Sequence, residues 1–403
     1  LRYQALYTIL LFFIVQLTTK ELSLSHRKII QKGDASGNGL IVKFRLPSGL
    51  EIVSFPTKNF YGGHWDLGPT WNYVVLAERP FLIDAGRYGQ GRHLIDMMGT
   101  AGIKPVDLDF VLISHGHEDH DGGLAELVKL TDLRIKAHRA YDLIIRQYPN
   151  KAPRGYKRHF PAKCWHCFMP ESFYKDNCLH YHDVLQALVV ERIGDACEEL
   201  GSGISTLHLP GHSPDCLALI LGGEALIVGD VVLPDITPWP TCMEQYDEVA
   251  EILRPLYPQA SDLFGLKRYL LSLKTLLQIA EQSPDILVLP AHRLYYQDRW
   301  NTVELKKRLH ELIQHHMQRC AAILEIVGAG EKDADEIARL HFSEILLKGP
   351  GKRMAANEII SHCELMTACG DLREVKKHIY VATGSENFEN YIGDDGEKLI
   401  FDH

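Results

Sequence analysis

The sequence predicts an α/β protein, a layered sandwich of sheet and helices followed by a small helix-rich module. Three observations carry that prediction. Apolar strand-like runs alternate with helical patterns through the middle of the chain, as they do where helices cover a sheet. The stretch before them, LIVKFRLPSGLEIVSFPT at Leu40–Thr57, reads as two β-runs around Pro47-Ser48-Gly49, so the sheet is mixed rather than purely parallel. Beyond Trp300 the texture changes to long helical periodicity.

The elements follow in order. A third β-run, NYVVLAERPFLIDAG, closes in Asp84-Ala85-Gly86. FVLIS is a strand that leads into a helix from about Leu124; ALIVGD, a helix from about Gly265 to Gln282, and DILVLP continue the alternation. Residues 144–183, rich in Pro, Lys, Tyr, Cys and His, interrupt it and read as a long functional loop or insertion. Leu305, Leu309, Leu312, Met317, Cys320, Leu324 and Val327 recur at helical spacing and predict one amphipathic helix over 302–327. Two shorter helical stretches, DADEIARLHFSEIL and MAANEIISHCELMTACGDL, precede a short strand, HIYVAT. The expected organisation is an N-terminal extension at 1–39, a catalytic domain at 40–300, a winged-helix-like domain at 301–384 and a loose acidic tail at 385–403.

Composition narrows the class. With 403 residues, 46% hydrophobic and 24% charged, the chain has the balance of a globular protein rather than a disordered one. Its net charge of −9 supplies no overall basic field for nucleic acid. The C-terminal module carries 12 Lys+Arg against 12 Asp+Glu, which favours a packing or substrate-shaping role and argues against DNA as a partner. A local patch of Lys348, Lys352 and Arg353 keeps RNA as the alternative. Nine scattered cysteines suit a reducing, cytoplasmic setting rather than a secreted disulfide scaffold. The apolar run Ala5–Leu17 is too short for a membrane span of about 20 residues. It matches a signal-peptide core in length but lacks an A-x-A-like cleavage site, so residues 1–39 read as signal-like or spurious. An exported or anchored protein is expected only if that run is genuine.

The chemistry concentrates in Ser114-His115-Gly116-His117-Glu118-Asp119-His120-Asp121-Gly122-Gly123, directly after the strand FVLIS. Imidazole and carboxylate are the ligands that borderline divalent metals prefer. Three further candidates sit in matching contexts: His212 ends STLHLPGH, Asp230 ends ALIVGD and His292 ends ILVLPAH. All follow the C-terminal end of an apolar strand, the edge where open α/β sheets place their ligands. Five histidines and two aspartates suit two metals better than one.

HGHEDHDGG resembles the H-x-H-x-D-H signature of the metallo-β-lactamase fold superfamily, with His212, Asp230 and His292 at its later ligand positions. The resemblance implies an αββα sandwich with a dinuclear site. One metal would take His115, His117 and His212, the other Asp119, His120 and His292, with Asp230 bridging. Asp84 matches the early Asp-Gly motif and a supporting structural role, although Ala85 intervenes before the glycine. Aspartate rather than cysteine at 230 looks like the glyoxalase II and nuclease branches. The C-terminal module resembles β-lactamase-like proteins with a winged helix appended to a glyoxalase II-like hydrolase core, some of them single-strand endoribonucleases. The usual P-G-H-G motif reads P-A-H-R here, so Arg293 stands on the rim.

These residues imply two divalent cations, zinc first with iron or manganese as alternatives, that acidify a shared water to a pKa of about 7 for attack on an acyl or phosphoryl centre. Asp119 is the carboxylate placed to orient that water and carry a proton; a plain ligand role is equally open. The leading expectation is hydrolysis of a small acyl substrate, a thioester or ester of the hydroxyacylglutathione type. An endoribonuclease with the same metals is the alternative, and a non-catalytic metal-binding or regulatory protein the second. A homodimer is compatible with either enzyme. Weaker signals remain: Cys164 and Cys167, with Cys178 and His180 or His182, could close a structural zinc site. Tyr156, Lys157, Arg158 and His159 read as a solvated run, His208 as packed or hydrogen-bonded, and Cys216 as core.

Overall fold

A computed structural model describes residues 27–59, 66–146, 178–240, 246–328, 330–349 and 351–393. Two sheets carry the first part of the chain. The larger has eight strands in sequential order: β1 (Arg27–Gln31), β2 (Ile41–Arg45), β3 (Glu51–Thr57), β4 (Thr70–Leu76), β5 (Phe81–Ile83), β6 (Phe110–Ile113), β7 (Arg134–His138) and β8 (Val190–Ile193). Pairing is antiparallel from β1 to β5 and parallel from β5 to β8. The hairpin expected at Leu40–Thr57 is β2–β3. The smaller sheet contains β9 (Glu199–Gly201), β10 (Ile204–His208), β11 (Leu217–Leu221), β12 (Ala225–Gly229) and β13 (Leu287–Pro290), in the order β13-β12-β11-β10-β9.

The pleat divides the apolar residues between two interiors. In β4, Tyr73 and Val75 face the other sheet, while Val74 between them faces helices. In β6, Phe110 and Leu112 face inward and Val111 and Ile113 outward. Both faces of each strand are therefore buried, which is why these strands read as continuous apolar runs rather than alternating ones. The inter-sheet core joins Phe44, Trp71 and Leu112 to Leu219, Ile227 and Leu289. Helices α1 (Gly91–Thr100), α2 (Glu118–Asp121), α3 (Leu124–Leu130), α4 (Arg139–Arg146) and α5 (Cys178–Ala187) belong to the first half, and α1, α3, α4 and α5 cover the outer face of the large sheet. Beyond α6 (Tyr246–Leu253), α7 (Gly265–Gln282) covers the small one. The result is a four-layer αββα sandwich.

One boundary differs from the sequence expectation. The fold begins before residue 40, because β1 pairs with β2 through Lys28 and Lys43 and through Ile29 and Val42. This is an edge strand, RKIIQ, with no fully buried residue, so it lacks the apolar signature of the inner strands. A two-residue hairpin of β14 (Tyr295–Tyr296) and β15 (Arg299–Trp300) then closes the sandwich through Gln297 and Asp298, both at positive φ.

The C-terminal part runs α8 (Leu305–Val327), β16 (Lys332–Asp333), α9 (Ala334–His341), α10 (Gly351–Ala368), β17 (Leu372–Lys376), β18 (Ile379–Ala382) and α11 (Phe388–Gly393). Its three strands form a separate sheet in the order β16-β18-β17. α11 lies where a loose tail was expected; its Phe388 and Ile392 are buried in the core. The apolar row of α8 is Leu305, Leu309, Leu312, His316, Cys320, Ile323 and Val327. His316 holds a position the sequence pattern assigned to Met317, because its imidazole is paired with that of His362 on α10 at 3.0 Å. One hydrophobic cluster runs from β12 through α7 into α8, α9, α10 and α11. Among the described residues, no helix is long and apolar enough to cross a membrane; the Ala5–Leu17 run lies outside them.

Candidate metal centre

β6 ends at Ile113, and the chain leaves it through Ser114, His115, Gly116 and His117 into the one-turn helix α2. Two glycines permit this turn to close on the Asp84 loop. A Cβ on Gly122 would lie 2.2 Å from the Tyr88 nitrogen, and one on Gly123 would lie 2.1 Å from the Ala85 carbonyl oxygen. The remaining candidates arrive from the small sheet. β10 and β12 are both antiparallel to β11, and β13 is parallel to β12. The three therefore share a direction and end at one edge, where His212, Asp230 and His292 follow them.

The seven predicted side chains meet there in two adjoining groups, His115, His117, His212 and Asp230 in one and Asp119, His120 and His292 in the other. In the first, His115 Nε2 lies 3.0 Å from His117 Nδ1, and His212 Nε2 lies 3.2 Å from that same atom. In the second, His292 Nε2 approaches Asp119 Oδ2 at 3.2 Å, and His120 Nε2 approaches it at 3.6 Å. Asp230 divides its oxygens between the groups. Its Oδ2 is 3.5 Å from His212 Nε2, and its Oδ1 is 3.3 Å from His292 Nε2 and 3.6 Å from His120 Nε2.

The donor set fits cations. His120 Nε2, His292 Nε2 and Asp230 Oδ1 are buried and have no aligned hydrogen-bond partner. Buried polar atoms are rarely left so, and a shared divalent cation would satisfy all three. Burial and neighbouring imidazoles hold His115 and His117 well below the ordinary histidine range, in the neutral form that coordinates metal. Burial also opposes the charge on His292, but the Asp230 and Asp119 carboxylates outweigh it and raise its pKa to about 9. Cation uptake at this half of the site should therefore release protons.

The outer nitrogens of the histidines are also held. Asp84 Oδ2 meets His120 Nδ1 at 2.8 Å, and its two oxygens accept from the Ser114 amide and hydroxyl at 2.7 and 2.9 Å. Asp84 sits at φ 62°, and the Ala85 amide donates to the His120 carbonyl at 2.7 Å. His292 Nδ1 faces the Pro69 carbonyl at 3.3 Å, and His212 Nδ1 faces that of Trp239 at 2.8 Å.

Sequence reasoning missed several supports. The Thr70 hydroxyl donates to Asp119 Oδ2 at 2.9 Å and itself accepts from the Asn59 amide at 2.8 Å. Asp215 Oδ2 accepts from the Gly116 amide at 2.8 Å, fixing the backbone between two candidate ligands. Asp121 turns away from the metal groups and accepts from Tyr141 and Tyr181 at 3.0 and 2.6 Å, which ties α4 and α5 to the motif. Arg293 occupies φ 63°, a region suited to glycine. Its guanidinium stacks on Tyr296 at 3.9 Å, donates to the Asp66 carbonyl and faces Asp235 at 3.4 Å, clasping two rim loops. Of these, the sequence had already placed Arg293 on the rim through its P-A-H-R motif, whereas nothing local marks Thr70.

Other sequence candidates lie elsewhere. Cys164, Cys167, Tyr156, Lys157, Arg158 and His159 fall outside the described residues, so the small zinc site has no described pair of thiols. His180 is exposed on α5 and His182 is buried there. His208 Nε2 donates to the Pro214 carbonyl at 2.8 Å and stacks on His138, and Cys216 is core. His138, Asp195 and His208 form a further His/carboxylate group, but Arg139 and Tyr257 already occupy Asp195.

A model of the metallo-beta-lactamase superfamily matches residues 65–292, more than half of the chain. The sequence is 27% identical over 223 residues to atrochrysone carboxyl ACP thioesterase AacuM of Aspergillus aculeatus, covering 53% of this chain and 57% of that one. It is 26% identical over 175 residues to an atrochrysone carboxyl ACP thioesterase of Passalora fulva, covering 42% and 40%. The matches thus span about half the length of these curated relatives. Among solved structures, a metallo-beta-lactamase family protein of Thermus thermophilus superposes with a TM-score of 0.57 at 19% identity, over 82% of this chain and 98% of that one. A beta-lactamase domain protein of Burkholderia ambifaria gives a TM-score of 0.58 at 18% identity, over 87% and 95%. Both show the same fold.

Proposed function

This chain belongs to the metallo-beta-lactamase superfamily, and on that premise we propose that it is a metal-dependent hydrolase of small acyl substrates, thioesters first. The observation that carries the reading is the division of Asp230, whose two oxygens face two separate groups of imidazoles. A structural site closes its coordination with four ligands; six side chains around one shared carboxylate leave room for water and substrate at two ions. The thioesterases among the curated relatives support the acyl choice. Five imidazoles and two carboxylates with no thiolate suit zinc, with iron and manganese as alternatives.

Bound divalent cations would acidify water and polarise the scissile carbonyl. The chain's own residues do the rest. Thr70 and His292 hold Asp119 through Oδ2, which leaves Oδ1 to orient the attacking water and to take its proton. Asp84 and the Trp239 carbonyl fix the rings of His120 and His212 so that each presents Nε2 to the site. Arg293 keeps the rim loops of Asp66 and Asp235 together above His292. We read the C-terminal part as a winged-helix-like module that packs on the catalytic sandwich. Free thiols at Cys197, Cys216, Cys320, Cys363 and Cys369 suit a reducing, cytoplasmic setting.

The test is metal analysis together with turnover of acyl thioesters, lactones, β-lactams and single-stranded RNA, each with and without chelator. The expected result is two metal equivalents and chelator-sensitive thioester hydrolysis. Asp230→Ala should lose at least one equivalent and reduce turnover by about 100-fold or more. Two equivalents retained in Asp230→Ala with full turnover would sink the dinuclear reading. RNA cleavage without thioester turnover would move the substrate to the nucleic-acid branch.

A further inference from the structure

The loop after Asp230 connects the metal centre to the C-terminal helices, and one arginine makes the connection. Arg308 lies in the first turns of α8, with its side chain 15% exposed. Its Nε donates to the Leu233 carbonyl at 2.8 Å and its Nη2 to the Ile236 carbonyl at 2.9 Å. Its Nη1 pairs with Glu311 at 3.1 Å, which completes the guanidinium fork. The same loop continues to Trp239, whose carbonyl lies 2.8 Å from His212 Nδ1. A carbonyl only accepts, so Nδ1 carries the proton and Nε2 keeps the lone pair that faces His117 and Asp230.

We propose that Arg308 is a positioning residue for the first cation group: it pins the 231–239 loop so that the Trp239 carbonyl sets the tautomer and angle of His212. The proposal rests on the metal reading of the seven side chains. Its physical basis is the match between a planar fork and two carbonyls that neighbouring loop residues present together. A lysine ammonium on the same stem can satisfy one of them well, not both in that geometry. Without the fork, the two carbonyls lose their donor, and the loop is no longer bound to α8 at that point. The Trp239 carbonyl then loses its fixed place beside His212. Losing such an outer partner of a ligand histidine weakens metal binding by about 10- to 100-fold. Asp119, His120 and His292 have different supports, at Thr70, Asp84 and Pro69. The effect should therefore fall mainly on one of the two equivalents.

The test compares wild type with Arg308→Met, which keeps the aliphatic stem, Arg308→Lys, and Lys307→Met as a control for lost charge on the same turn. Zinc affinity is measured by competition with a chromophoric chelator, and the unfolding midpoint on metal-stripped protein. In Arg308→Met one dissociation constant should rise about tenfold or more while the other stays near wild type. Arg308→Lys should fall between, and Lys307→Met should match wild type; if the methionine variant does not fold, the lysine variant carries the same test. Two unchanged equivalents in Arg308→Met would overturn the proposal. So would a parallel loss of both that tracks a lower midpoint of the stripped protein, since that marks general destabilisation. A wild-type chain that takes up no metal would overturn the metal reading itself, and this inference with it.

Discussion

Mild acid should loosen the C-terminal helices, because they bury uncharged histidines. His316 and His362 are both fully buried. Burial holds each imidazole well below its ordinary value of 6.5, and Arg319 adds to the effect at both. Below pH 6.5 the unfolded chain therefore binds protons that the folded chain refuses, and stability falls as pH falls. Each such group removes about 1.4 kcal/mol per pH unit. Two groups over the interval from pH 6.5 to 5 remove about 4 kcal/mol, a large part of the 5–15 kcal/mol that holds a typical domain. Glu358 acts in the opposite sense, since burial raises its carboxyl and the folded state gains by protonating it early. His315, lowered to about 4 by burial, and His341, also lowered by burial, act in the same sense as the pair. Comparison with His316→Gln/His362→Gln cancels these shared contributions. Urea unfolding followed by far-ultraviolet circular dichroism, at half-unit pH steps and fixed metal concentration, should show wild type losing about 3–4 kcal/mol more than the double variant between pH 6.5 and 5. Parallel curves for the two proteins would refute the reasoning.

Two further outcomes follow from contacts already described. Leu309 is fully buried in the cluster shared by α7 and α8, so Leu309→Ala should cost about 2–5 kcal/mol in a chemical unfolding titration; a loss under about 0.5 kcal/mol would mean that α8 does not pack on the sandwich in solution. Thr70→Val removes the hydroxyl donor to Asp119 at constant shape, and a hydrogen bond to a charged group is worth about 1.5–3 kcal/mol. Steady-state kinetics on a hydrolysed thioester should show kcat reduced about 10- to 100-fold with KM little changed, and an unchanged kcat would remove Thr70 from the machinery.

The parts of the fold that were legible share a cause. β6, β12 and β13 are buried on both faces, so their residues are uniformly apolar, and a candidate histidine or aspartate at the end of such a run stands out. The motif after β6 was readable because four candidate ligands lie within six residues of sequence. β1 was hidden because an edge strand buries little. His316 was hidden because a polar residue can occupy a core row when another buried imidazole partners it. Thr70 acts on Asp119 across 49 residues of sequence, and neither residue type is unusual in its local context. Trp239 contributes a backbone carbonyl, an atom that every residue type carries, so no pattern of side chains could have revealed it. Arg308 reads on α8 as one more solvated cation until the loop that it touches is known.

The shared core has a consequence for synthesis. All seven metal-binding candidates have been made once His292 has left the ribosome, yet the outer face of α7 stays bare until α8 and α10 follow. At about 5–20 residues per second, translating the stretch from His292 to the end of α11 takes on the order of 5–20 s. During that interval a nascent chain with every candidate ligand still displays an uncovered apolar surface and, until α8 packs, a loop not yet fastened by Arg308. Ribosome-associated chaperones would meet the protein in that state, and a stop codon shortly after residue 292 would make the state permanent.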